Sequence, residues 1–182
     1  ICGYSFKSDL GGAPTLLNAS RATNFRYFVG DISDDEMHAI NAIDTRSKIK
    51  DRMRRLDTLQ FVSTVNETFS GNLLFICFGM EKILAETLKF HYVEGISDCA
   101  EIASFLEERN PFNLNVAGIY RHKLKKFLCA VALGLNPSKQ WSGIDEANGG
   151  YIIVTESGDV IAYHLYNRDS FETYLLNHTK LE

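Results

Sequence analysis

No hydrophobic run in this chain is long enough to cross a bilayer. The longest, Leu73 to Met80, falls well short of the roughly 20 apolar residues that a span requires. The chain does not open with a basic region, an apolar stretch and a small-residue cleavage site, so it does not read as a secretory signal. Its four cysteines, Cys2, Cys77, Cys99 and Cys129, never fall in CxxC spacing. That argues against zinc and disulfides and for buried free thiols in a reducing, cytoplasmic setting. P-loop, GxGxxG, GxSxG and HExxH patterns are all missing, as are internal repeats and low-complexity segments. Gly118-Ile119-Tyr120 matches half of a GIY-YIG signature, but no Tyr-Ile-Gly strand follows and the segment has a helical pattern.

What is present is ordinary for a globular protein. With 182 residues, 45% hydrophobic and 23% charged, the chain has the length for one well-buried core. It reads as a single domain over residues 1–182. The first residue is Ile rather than Met and lies inside a strand-like segment, so the expectation is the C-terminal portion of a longer protein. The formal net charge is −4, yet the charges are segregated. Acids crowd Asp31 to Glu36, while bases crowd Arg46 to Arg55 and Arg121 to Lys126. Segregation of this kind permits a basic cleft on an acidic protein.

Apolar-polar alternation predicts strands near residues 2–7, 24–30, 59–64, 150–155 and 159–166, the last two joined by a turn at 156–159. Ser33 with Glu36 three residues on forms a capping box for a short helix. Thr45 is expected to cap a second helix, with Ile49, Met53 and Leu56 on one side and six cations on the other. A third helix is predicted over 73–90, apolar nearly all round and therefore central to the core. Ser97 is expected to open a fourth ending at Arg109 before Pro111. A fifth runs over 116–133 with Gly134 and Pro137 as stop signals, and a closing helix spans 168–178. The fold class is α/β in the broad α+β sense: a mixed sheet flanked by helices, with a C-terminal β-hairpin plus helix.

Lys7 is the first candidate for chemistry. It ends the strand-like run Gly3-Tyr4-Ser5-Phe6-Lys7, where alternation sets Ser5 and Lys7 on one face. A lysine two residues beyond a polar partner on a strand is the arrangement of metal-dependent PD-(D/E)XK nuclease strands. There the partner is a metal-holding acid, and the lysine polarises water or steadies phosphate charge. Thr15, Asn18, Ser20, Thr23 and Asn24 form a polar stretch suited to capping a helix or to meeting phosphates and base edges; Asn18 is the best candidate among them. Lys123 and Lys125, with Arg121, His122 and Lys126, form a denser cationic cluster. His164 and Asn167 flank Tyr166 near the end of the last strand. Asp159 is explained by turn chemistry, and His164 has no second His or Cys at metal-ligand spacing.

Several blocks along the chain share an order. Gly3-Tyr4-Ser5-Phe6-Lys7-Ser8 runs through Gly11 into Thr15-Leu16-Leu17-Asn18-Ala19-Ser20 and Thr23-Asn24-Phe25. Further on come Lys123-x-Lys125-x-Phe127-Leu128, Ala132-Leu133-Gly134, Trp141-x-Gly143, Gly149-Gly150-Tyr151-Ile152 and Tyr163-His164-Leu165-Tyr166-Asn167. This series resembles the HpaII family of type II restriction endonucleases, and the likeness spans both ends of the chain but not residues 30–110. It implies a PD-(D/E)XK nuclease-like core and Mg²⁺-dependent hydrolysis of double-stranded DNA at CCGG.

On that resemblance Lys7 is the catalytic lysine, with Ser5 standing where the second carboxylate usually does. The first metal-binding acid is expected upstream of Ile1, so the metal ligands stay unassigned, and this segment alone is expected to be inactive unless a local acid such as Asp9 compensates. Asn18, Thr23, Asn24, Lys123, Lys125, His164 and Asn167 become DNA-contact candidates, and a homodimer is compatible with the family. Two other readings stand beside this one. The first is a non-catalytic DNA-binding or interaction module that keeps the nuclease scaffold. The second is a helical domain binding a small apolar ligand.

Overall fold

A computed structural model of the chain describes residues 3–8, 21–56, 58–155, 157–164 and 168–181, with the side chains of residues 6–8 and 164 excepted. It is a mixed α/β protein. Among the described residues two sheets and seven α-helices run in the order β1 (Tyr4–Ser8), β2 (Phe25–Phe28), α1 (Asp34–Asn41), α2 (Lys48–Met53), β3 (Gln60–Thr64), α3 (Glu67–Ile76), α4 (Met80–Glu94), α5 (Cys99–Arg109), α6 (Ile119–Ala132), β4 (Gly150–Val154), β5 (Val160–His164) and α7 (Arg168–His178).

The two ends of the chain meet in one three-stranded sheet, ordered β1-β4-β5, while β2 and β3 form a separate antiparallel pair. β1 lies parallel to β4, with Ser5 opposite Tyr151 and Lys7 opposite Ile153. β4 returns antiparallel through β5, as a hairpin signal predicts. The turn between them is built by its own side chains: Ser157 Oγ donates to Asp159 Oδ2 at 2.7 Å and the Asp159 N–H donates to Thr155 Oγ1 at 3.1 Å. Asp159 thus has the turn role read from sequence.

The helices enclose the core. Phe69, Leu73, Met80, Ile83, Leu84, Ile102, Leu106, Leu124, Phe127, Phe171 and Leu176 are all buried in one cluster. The sheet joins it through Tyr151 and Ile153 of β4, the Tyr151 ring centroid lying 4.7 Å from that of Phe171 on α7.

Local caps explain several boundaries. The Glu36 N–H donates to Ser33 Oγ at 3.3 Å, closing α1 as expected. The α5 cap is Asp98 rather than Ser97, because its carboxylate accepts the N–H groups of both Ala100 and Glu101, a stronger arrangement than one hydroxyl provides. α2 begins at Lys48, since Thr45 turns its hydroxyl to the Asp51 carboxylate instead of capping the helix. Ile49, expected on an apolar side, is exposed. α6 starts at Ile119, three residues later than expected, after Gly118 at φ +76°.

The largest departure is the helix expected over 73–90. It is two helices: α3 starts earlier, capped by Asn66, and ends at Cys77 in extended backbone (φ −170°). Gly79 then takes φ +81° before α4, a conformation that glycine adopts without the Cβ penalty. The bend turns part of the apolar run outward, leaving Leu74, Phe75 and Phe78 exposed, the last at 87%. Only part of that run is core.

Candidate nucleic-acid interface and catalytic strand

The strand bearing Ser5 and Lys7 is fixed at its start by backbone contacts with the Gly149-Gly150 segment. The Gly149 N–H donates to Gly3 O at 2.6 Å, and the Gly3 N–H donates to Asn148 Oδ1 at 2.8 Å. A Cβ on Gly3 would lie 2.5 Å from Glu146 O, and one on Gly150 would lie 2.7 Å from Tyr163 O. Both approaches are too close for any side chain, so the glycines allow β1 and β5 to flank β4 tightly.

Ser5 is half-buried and lines an open groove of about 410 Å³ with Val131, Gly134, Glu146 and Ala147. The position of Lys7 is set by its register opposite Ile153, while its side chain lies outside the description. Asn18, Asn167 and Asp9 lie outside the described residues altogether. His164 pairs with Gly150 across the hairpin. Its strand neighbours Val160 and Ala162 are exposed, whereas Tyr163 packs 5.8 Å from Phe171 and 5.2 Å from Tyr174.

Thr23 and Asn24 stand apart from that strand. Thr23 is buried in a single 3₁₀ turn, and the Asn24 carbonyl accepts the Val65 N–H at 2.8 Å. They lead into the β2–β3 pair, not the sheet that contains Lys7.

The cations of α6 all have protein partners. Lys123 Nζ donates to Phe78 O at 3.0 Å and approaches Cys77 Sγ at 3.2 Å, spanning the α3–α4 bend. Lys125 Nζ meets Asp169 Oδ1 at 2.7 Å and Thr173 Oγ1 at 2.9 Å. That hydrogen bond and charge hold the Asp169 carboxyl below its ordinary range.

Sequence reading missed a charged group between α6 and α7. Lys126 Nζ and Arg168 Nε both donate to Glu172 Oε1, at 2.7 and 3.2 Å, and Arg168 Nη2 lies 3.4 Å from Asp145 Oδ2. Glu172 is buried, and two cations on one carboxylate oxygen compensate its desolvation. Asp145 is raised above the usual carboxylate range because burial outweighs the Arg168 attraction. The only local signal for this group is the i,i+4 spacing of Arg168 and Glu172.

Two of the family-like blocks serve the architecture. Asn72, buried on α3, donates through Nδ2 to Asn136 O and Lys139 O and accepts the Trp141 N–H at 2.8 Å. Gly134, at φ +129°, sits against the Glu146 side chain, whose N–H donates to Leu133 O. These contacts set the path from α6 into β4.

Among the described residues no group of three or more His, Cys, Asp or Glu side chains stands together as a metal site. The described residues therefore do not fit a divalent-metal centre. No helix among them is long and apolar enough to cross a membrane. Cys77, Cys99 and Cys129 are all free thiols.

One sheet joins the N-terminal lysine strand to the C-terminal hairpin, with helices packed around it. A model of the HpaII restriction endonuclease family matches residues 1–182, and the chain belongs to that family. It is similar to the type II restriction enzyme HpaII of Haemophilus parainfluenzae, at 37% identity over 184 residues, covering 99% of this chain and 51% of the relative. The chain thus spans about half the length of the curated relative it matches. No solved structure matches it.

Proposed function

We propose that this chain is part of a type II restriction endonuclease that hydrolyses phosphodiester bonds in double-stranded DNA. The observation that carries the reading is the match of the HpaII restriction endonuclease family along the whole chain, supported by 37% identity to a type II restriction enzyme. The sequence recognised is CCGG, the tetranucleotide of the family it resembles. The cofactor is Mg²⁺, with carboxylate ligands outside the described residues. The setting is cytoplasmic, in keeping with three free thiols among the described residues.

Lys7 on β1 is the residue proposed to act on the reacting phosphate, with Ser5 beside it as a polar neighbour in place of an acid. Cationic stabilisation of the developing charge is the role such a lysine fills. Asn18, Thr23, Asn24, Lys123, Lys125, His164 and Asn167 are the proposed DNA contacts, and the enzyme acts as a homodimer.

The second reading is a DNA-binding module without hydrolytic activity. It is favoured by the lack, among the described residues, of a group of three or more His, Cys, Asp or Glu side chains placed to hold a metal ion. Incubating the protein with CCGG duplexes and with single-base variants, with Mg²⁺ or with EDTA, separates the two. Mg²⁺-dependent scission at CCGG supports the nuclease. Binding without scission supports the module, and neither binding nor scission removes both.

A further inference from the structure

The basic helix α2 is not uniformly solvated, because its cations divide into two sets. Arg52 donates through Nε and Nη2 to Ile43 O and through Nη2 to Asn41 O, and Arg54 Nε donates to Val93 O at 2.8 Å. Those two guanidinium groups tie the helix to the rest of the fold. Lys48 is paired with Asp44 at 3.1 Å, both exposed. The side chains of Arg46 and Lys50 have no hydrogen bond or ion pair among the described residues.

Arg46 and Lys50 line one groove with Ser47, His91, Tyr92 and Ser97, of about 370 Å³, between α2 and the end of α4. The walls hold them there. Lys50 Nζ lies across Gly95, so that a Cβ on this glycine would stand 2.9 Å from the ammonium. Gly95, at φ +84°, closes α4, whose C-terminal carbonyls favour a nearby cation. His91 Nδ1 is 3.0 Å from Ile96 O, a carbonyl that can only accept. The ring proton therefore sits on Nδ1, and this bond fixes the ring as part of the groove wall. Ser97 Oγ, 3.3 Å from the same Nδ1, steadies the ring.

We propose that this groove binds a backbone phosphate of duplex DNA, with Arg46 and Lys50 supplying the charge and the Ser47 and Ser97 hydroxyls the hydrogen bonds. The inference rests on the nuclease reading and adds to it a contact surface on α2 and α4, away from the β1–β4–β5 sheet. A groove with two cations that have no ion pair among the described residues, with hydroxyls and a tyrosine edge, suits a sugar-phosphate chain. Contacts of this kind position the duplex without reading its bases.

The test is a salt titration of duplex binding by the protein and by R46A/K50A, using a CCGG duplex and an unrelated one. Each phosphate contact adds about 0.9 to the slope of log K against log salt. The double variant should lose roughly one slope unit and weaken on both duplexes alike. R46K/K50R, which keeps both charges, should recover the wild-type slope. Melting curves guard against misfolding, though neither side chain supports a contact whose loss would unfold the chain. An R46A/K50A slope equal to wild type overturns the groove and leaves the nuclease reading standing. Duplex binding absent in the wild-type protein overturns both.

Discussion

The carboxylate of Glu107, on α5, accepts the backbone N–H of Tyr120, in the first turn of α6, at 2.8 Å. Its Oε1 also accepts from Arg121 at 3.0 Å, and its Oε2 from Gly118 at 3.1 Å. The first N–H groups of a helix have no partner within the helix, and Gly118 offers no side-chain cap. An anion from a neighbouring helix fills both needs, hydrogen bonding and dipole.

Glu107→Ala should therefore destabilise the protein by about 1–2 kcal/mol, in the range of a lost N-cap. Glu107→Gln, which keeps one acceptor but loses the charge, should cost about half as much. Urea unfolding of the three proteins measures this. Equal stability for wild type and Ala would mean that α6 needs no cap from α5.

Lys7→Ala in the full-length protein should reduce cleavage by about 10²–10³ while specific binding is retained, the effect of losing one group that stabilises transition-state charge. Single-turnover cleavage and gel-shift affinity on the same duplex separate the two quantities. Cleavage at the wild-type rate would remove Lys7 from the chemistry.

Lys123→Ala is expected to lower the salt slope of DNA binding by about one unit, and Lys125→Ala by less. Each lysine already has a protein partner, Phe78 O for Lys123 and Asp169 for Lys125, so melting must be followed alongside binding. A lower melting temperature with an unchanged slope would assign Lys123 to the α3–α4 bend alone.

Burial pushes the Cys99 thiol from 9.0 up to about 12 and the Cys129 thiol up to about 11. Both folded-state values are raised, so the fold favours the neutral thiols. Their contribution is intact below the unfolded value near 9.0 and is lost as pH climbs through the folded values. Melting temperature should hold to about pH 9 and fall between roughly pH 9 and 11. The fall should be smaller in Cys99→Ala, and an identical pH profile for both proteins would show that the Cys99 thiol does not contribute.

Thr87 on α4 is buried and its Oγ1 has no hydrogen-bond partner among the described residues. Valine has the same branching, so Thr87→Val changes shape little and removes an unsatisfied polar atom. Stability should stay level or rise by about 1 kcal/mol. A loss larger than about 1 kcal/mol in denaturant unfolding would indicate a water bound to the hydroxyl.

Structure set by neighbours in sequence was legible before any coordinates. The Ser33 cap, the Asp159 turn, the paired strands 150–154 and 160–164 and the helix Arg168–His178 rest on contacts within a few residues. Their signals survive in the linear text. The parallel pairing of β1 with β4 left no such trace, since its partners lie some 146 positions apart, as with Lys7 and Ile153.

Where tertiary contacts compete with local preference, the sequence misled. The apolar run after Leu73 reads as one core helix, yet a glycine at positive φ and the Lys123 bond to Phe78 O turn it into two. The caps of α6 and of the 136–141 segment come from Glu107 and Asn72, distant residues whose roles no spacing rule encodes. The sequence by itself determined which residues carry charge, and the clusters at 46–55 and 121–126 were plain from it. The fold decided how those charges are used. It commits Arg52, Arg54, Lys123, Lys125 and Lys126 to partners on other elements and leaves Arg46 and Lys50 facing an open groove. A cation's availability depends on which carbonyls and carboxylates fold around it, and that is a property of the folded chain alone.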